Sequence, residues 1–337
     1  MDEASLERPL SATLLADVAN FSRRYADPGS TRKWAHSIGL AAAVGIFYFL
    51  AARLSLLLLT KPDGVAVFWP ASGVAAGVLI ALGPRARAPV AAGAMVATIV
   101  ANLMGDRTLL SAVVFALCNA GEALLTAWLI EHYFGSDFNL GKLGHVLGML
   151  VCAIVATAVS GIGGTAGFFY FHSSDAPILT VWQHWFASDA LGIITVAPLI
   201  IELASVVRQP PSRRGFTEGA AALAALVILN GFVIFLPQGF WGTVVPAALL
   251  FPMLLWLAAR THPVFAATAA FISALTIVLS TTFGIGFFGN ASLPISERIL
   301  GAQASILAVS FCVFVLVLHC LPNDVCTRLS LWRAVRG

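Results

Sequence analysis

Three long apolar stretches each carry an ionisable residue. Residues 108–131, TLLSAVVFALCNAGEALLTAWLIE, hold Glu122. Residues 181–203 hold Asp189, and residues 36–59 hold Arg53. An ionisable side chain at membrane depth costs about 2.5–3.5 kcal/mol on insertion scales, so each of the three marks a partner or a function. Around them the windows are apolar on all faces rather than striped, which is how membrane-embedded helices read. Only 10% of the chain is charged, against about 25% in soluble domains. The chain reads as all-α: a polytopic transmembrane helical bundle whose first partner is the lipid bilayer. The net charge of +3 is small, and no nucleic-acid partner is expected.

About ten spans are predicted, near 36–59, 65–82, 87–104, 108–131, 143–170, 181–203, 218–236, 242–259, 263–281 and 299–320. The weakest are 65–82 and 263–281. If that pair is re-entrant the count falls to eight, so the expectation is 8–10 spans. With the N-terminus inside, most of the 19 Lys and Arg fall in inner segments, among them Arg23, Arg24, Lys33, Arg85, Arg87, Arg208, Arg213 and Arg260. The outer loops keep only Lys61, Arg107 and Arg298. The positive-inside rule therefore places both termini in the cytoplasm. Three parts follow: a cytoplasmic segment 1–35, a transmembrane domain 36–320 and a short cytoplasmic tail 321–337. Residues 1–35 lack a cleavable signal pattern. Leu14, Val18, Phe21 and Tyr25 form a stripe that fits a short amphipathic surface helix, with a disordered tail as the equal alternative. Trp34, Trp128 and Trp256 fall near inner span ends, and Trp69, Trp182, Trp185 and Trp241 near outer ends, as interfacial indoles do.

The polar groups concentrate in the outer half of the membrane. Arg53 and Asp189 lie in the outer thirds of their spans, Asn102 near an outer end, and Glu122 near mid-membrane. Asn119 stands three residues before Glu122 on the same face. Trp182, Trp185 and Asp189, spaced three and four apart, share one helical face. Trp69 and Ser72 open the second span from outside. Two readings stand open. One is a ligand pocket, floored by Glu122 and lined by Asp189, Arg53 and tryptophans. The other is a helix lock in which Arg53 pairs with Asp189 and Glu122 is protonated or bonded to Asn119.

Other features are bland. The glycine run 161–167 follows no strand and precedes no Lys, so it is not a phosphate loop. Gly163 and Gly167, like Gly73 and Gly77, read as small-residue helix contacts. The five cysteines form no Cys-x-x-Cys pair, and the seven histidines mostly lie near span ends. No metal site, cofactor or catalytic set is expected, and the chain is not read as an enzyme.

The segments Phe68-Trp69-Pro70-Ala71-Ser72-Gly73, Ala101-Asn102-Leu103, Asn119-Ala120-Gly121-Glu122-Ala123-Leu124-Leu125 and Trp182-x-x-Trp185 with Asp189-Ala190-Leu191-Gly192 resemble, in order and spacing, the MASE1 integral membrane sensor domain of bacteria. The resemblance spans roughly 36–320. It implies a bacterial inner-membrane sensory module that precedes a kinase, diguanylate cyclase or phosphodiesterase output. No such output follows residue 320, so the expected partners are a separate cytoplasmic signalling protein, a membrane receptor or a small-molecule ligand. The competing expectations are a small-solute or proton-coupled transporter and a protein that anchors a partner.

Overall fold

The structure is a computed structural model that describes residues 28–58, 66–135, 138–172, 175–235, 240–290 and 292–320. The amphipathic stripe at 14–25 and the tail from 321 lie outside them. Among the described residues there are ten α-helices and no strand. They are α1 Pro28–Leu57, α2 Pro70–Leu82, α3 Arg87–Leu103, α4 Leu109–Phe134, α5 Leu143–Phe171, α6 Ile178–Arg208, α7 Arg213–Ile234, α8 Phe240–Arg260, α9 Pro263–Phe283 and α10 Ile295–Cys320. The chain is a polytopic helical membrane protein. Eight of its helices are long and apolar enough to cross a bilayer.

The two weakest expected spans part company. The helix expected at 263–281 is a full span of 21 residues, and it is the most buried of the eight. Its alanines at 266, 267, 269, 270 and 274 are fully buried, and such small side chains let neighbouring helices approach closely. The expected span 65–82 is a helix only from Pro70, for 13 residues. At 1.5 Å per residue that is about 20 Å, short of a hydrocarbon core of about 30 Å. The four residues before it, Ala66 to Trp69, enter as buried non-helical chain.

Irregular backbone at membrane depth survives only where the protein satisfies it. Here the Trp69 N–H donates to the Ser188 carbonyl at 3.1 Å. The Gln303 side-chain amide donates to the Val67 carbonyl at 3.1 Å. The segment is thus stitched to α6 on one side and to α10 on the other. Proline at the first helical position then starts α2.

α2 lies against α6 through glycines. A Cβ on Gly192 would run into the Trp69 carbonyl, and one on Gly73 into the Gly192 carbonyl. One on Gly77 would stand 2.9 Å from the Ala197 Cα. The Gly73–Gly77 pair therefore acts as the close helix contact its spacing suggests.

Side-chain contacts orient the helices. Arg87 pairs with Glu131, and the Arg208 guanidinium donates to the Ala81 carbonyl at 3.1 Å. Lys33 and Arg85 line one groove, and Phe216 meets Phe265 edge-on at 5.8 Å. These contacts gather the first turns of α1, α3, α7 and α9 with the last turns of α2, α4 and α6 at one basic end. At the other end Thr282 on α9 donates to the Leu58 carbonyl, and α10 begins near Val67. α1 therefore starts, and α10 finishes, at the basic end.

Ile38, Phe47, Val96, Leu110 and Val159 project outward and exposed, as a lipid-facing belt does. Trp34, Trp128 and Trp256 are also exposed, as interfacial indoles are. Trp69 is instead buried in the core, because its backbone is drawn inward by Ser188.

Candidate functional site

Five of the expected residues, Trp69, Asn102, Asn119, Trp185 and Asp189, meet where α1 to α6 converge. Asp189 lies eleven residues into α6 and Asn119 ten into α4, so both sit about 15 Å along helices that enter from the end opposite the basic one. They line a cavity of about 50 Å³ with Trp69, Asn102, Trp185 and Ser188. Phe115 and Phe168 complete its aromatic wall, Phe115 standing 5.2 Å from Trp185, ring centre to ring centre.

The hydrogen bonds in the cavity stop short of completion. Ser188 Oγ donates to Asp189 Oδ1 at 3.4 Å. Asp189 Oδ2, Asn119 Oδ1 and the indole nitrogens of Trp69 and Trp185 are buried with no partner in the chain. Glu122, 2% exposed, faces Ser72, Ser160 and Asp189. Neither of its oxygens is within hydrogen-bonding geometry of these or of Asn119. Ser72 belongs to the first turn of α2, whose N-terminal partial positive charge favours a carboxylate there.

Three expected placements differ. No ion pair joins Arg53 to Asp189 among the described residues; Arg53 is half-buried on α1 and does not line the cavity. Glu122 makes no bond to Asn119. Trp182 stays on the shared face but does not line the cavity: its ring stacks on Phe186 and its N–H donates to the Ala158 carbonyl at 3.2 Å. A helical face spans about 100°, and the small Gly161 and Gly164 of α5 let both indoles lie against that helix, with Trp185 alone reaching the cavity.

The cation that lines the cavity is Arg107, from the short loop between α3 and α4. Its guanidinium sits over Phe115 at 5.0 Å from the ring centre, and burial lowers its pKa from the ordinary arginine value. Tyr48 and Thr98, both fully buried, add two hydroxyls without partners; Tyr48 faces Trp69 and Thr98. A tyrosine in the middle of an apolar span is a signal available in the sequence. Arg107 is harder to find, since a loop arginine ordinarily faces solvent.

The arrangement provides aromatic walls, acceptor oxygens and two indole N–H donors deep in the bundle, and a guanidinium toward the end opposite the basic one. Among the described residues, no group of three or more His, Cys, Asp or Glu could hold a metal ion.

The MASE1 family matches residues 40–320. The chain belongs to the MASE1 family. MASE1 is a family of membrane sensory domains, and the match includes every residue of the cavity. Comparison with curated proteins and with solved structures returned no match.

Proposed function

We propose that this MASE1 domain is a sensory input module of the bacterial inner membrane. It receives a small ligand, or the influence of a neighbouring membrane protein, at the Asp189 cavity. It passes the change in helix packing through α10 to a cytoplasmic output of the kinase or cyclic-di-GMP type.

The observation that carries this reading is the set of buried polar atoms left unpaired around the cavity. A buried donor or acceptor without a partner costs about 1–3 kcal/mol. A cluster serving only to lock helices gains nothing from leaving Asp189, Asn119, Glu122 and two indoles unpaired. The lock also required an Arg53–Asp189 pair, which is not formed. Groups held in place and unpaired suit a site that takes its partners from a ligand.

The route outward has its own support. Trp69 lines the cavity, and two residues before it the Val67 carbonyl is held by Gln303 of α10. Further along α10, Ser310 meets Thr195 of α6 at 3.2 Å. A ligand shifts a packing equilibrium only by its difference in affinity for the two states, and here the segment that touches the ligand also touches the helix that would move.

Intact mass spectrometry of the chain released gently from its native membrane tests the proposal. A co-eluting signalling subunit or receptor, with a bound metabolite lost in Asp189→Asn, is the expected result. Solute uptake into proteoliposomes that vanishes in Glu122→Gln or Asp189→Asn would replace the sensor with a transporter.

A further inference from the structure

The walls of the Asp189 cavity are rich in donors. Among the described residues that line it, Arg107 is the cation and Asp189 the acid, while Glu122 lies outside the lining. The indole N–H groups of Trp69 and Trp185 are buried with no partner in the chain. Trp69 faces the Tyr48 hydroxyl and Trp185 faces Asp189, and neither N–H reaches its neighbour in hydrogen-bonding geometry. A bare cation here would meet a guanidinium and two N–H groups. An anion would meet their donors, in a sheltered site where such charge-assisted bonds are strong.

Size and shape narrow the class. The cavity measures about 50 Å³. One water needs about 10–15 Å³ on this measure, so there is room for about three to five non-hydrogen atoms. In so small a space one ligand touches every wall. The guanidinium fork matches the two oxygens of a carboxylate. Leu56, Phe115 and Phe168 make the remaining wall apolar, which suits a short hydrocarbon tail better than a fully oxygenated ion. Asp189 accepts from Ser188 at Oδ1 and keeps Oδ2 unpaired. Two carboxylates side by side on one guanidinium would repel each other. Asp189 therefore takes part as the carboxyl, its O–H donating to the ligand in a bond about twice as strong as a neutral one.

We propose that the Asp189 cavity binds a small monocarboxylate of the acetate class, with its carboxylate among Arg107, Trp185 and Asp189 and its tail against Phe115 and Phe168. The inference rests on the reading of this cavity as the domain's ligand site, and names the ligand. Trp185 faces Asp189 and stands 5.2 Å from Phe115, ring centre to ring centre, so its emission reports the ligand's arrival.

The test uses the full chain in lipid nanodiscs at fixed pH and ionic strength. Tryptophan emission is followed as sodium acetate replaces sodium chloride, and separately as acetamide, the uncharged isostere, is added. The expected result is a saturable change with acetate and a response to acetamide at least tenfold weaker. The acetate midpoint rises about tenfold in Arg107→Gln and at least tenfold in Asp189→Asn, whose amide is the weaker donor. The change is lost in Trp185→Phe, which removes the reporter. Identical emission in acetate and chloride for the unmodified chain overturns the proposal in favour of a cavity filled by water alone. Acetamide matching acetate overturns it in favour of a neutral ligand. Neither result needs a variant to fold. The sensor reading fails separately: an acetate response in the chain with no effect of acetate on a coupled output sustains the carboxylate site and removes the sensor. An output that collapses in Asp189→Asn but ignores acetate does the reverse.

Discussion

Asp189 gives one oxygen to Ser188 and turns the other to the cavity. Its effect on function therefore depends on what completes that second oxygen. The cationic side chain in its cavity is Arg107, while Arg53 stands off. Arg107→Gln is expected to weaken the ligand response about tenfold, equivalent to about 1.4 kcal/mol, and Arg53→Gln to leave it within a factor of two. Emission titrations of the two variants decide between the arginines, and equal losses would restore the Arg53–Asp189 pairing. Asp189, both asparagines and two of the three expected tryptophans line the cavity; these were legible because charge and amide groups are conspicuous in apolar windows. The choice of arginine was not. Depth along a helix follows from residue count, but rotation about its axis depends on neighbours, and a loop residue's reach inward depends on the packing beneath it.

Two elements set the geometry on which those residues depend. The α2–α6 crossing places backbone against backbone at Gly73, Gly77 and Gly192. Carbonyls cannot yield as a flexible side chain does, so Gly192→Ala is expected to cost at least the 1–3 kcal/mol typical of overpacking. A lower thermal midpoint would show it, whereas Gly121→Ala, where a Cβ meets nothing within 4 Å, should be close to neutral. The small-residue spacing was readable in the sequence. That Ala66–Trp69 is non-helical was not, because its hydrogen bonds come from Ser188 and Gln303, more than a hundred residues away in the chain. Gln303→Leu breaks the link to α10 without touching the cavity lining. Ligand affinity should stay within about threefold while the coupled output falls to background; an output that survives removes α10 from the route. At the basic end His262 caps α9, its Nδ1 accepting from the Val264 N–H at 3.3 Å. Burial lowers its pKa below the ordinary 6.5. The folded state thus favours neutral imidazole, so stability is full above pH 6.5 and declines as pH falls through the lowered value. Protonation also removes the acceptor. Thermal midpoints measured downward from pH 7 should fall less in His262→Asn, which keeps a cap that does not titrate.

For the molecule as a whole, charge placement and packing lead independently to one topology. The sequence put Lys33, Arg85, Arg87, Arg208 and Arg213 in inner segments by counting spans. The structure brings the helix ends that carry them together through contacts that know nothing of a membrane: Arg87 with Glu131, Arg208 with Ala81, and Lys33 beside Arg85. The short α2 is preceded by a buried, non-helical lead-in. If the basic end faces the cytoplasm, as the positive-inside rule requires, the Asp189 cavity opens outward and α10 ends inside, the polarity a sensor of external signals needs. Accessibility labelling in intact cells checks this directly. In a background with the five cysteines replaced by alanine, Ser292→Cys in the loop between α9 and α10 should react with a membrane-impermeant maleimide. Arg213→Cys at the start of α7 should react only after the cells are opened. The reverse pattern would point the cavity at the cytoplasm, and both the external signal and the inward route through α10 would fall together.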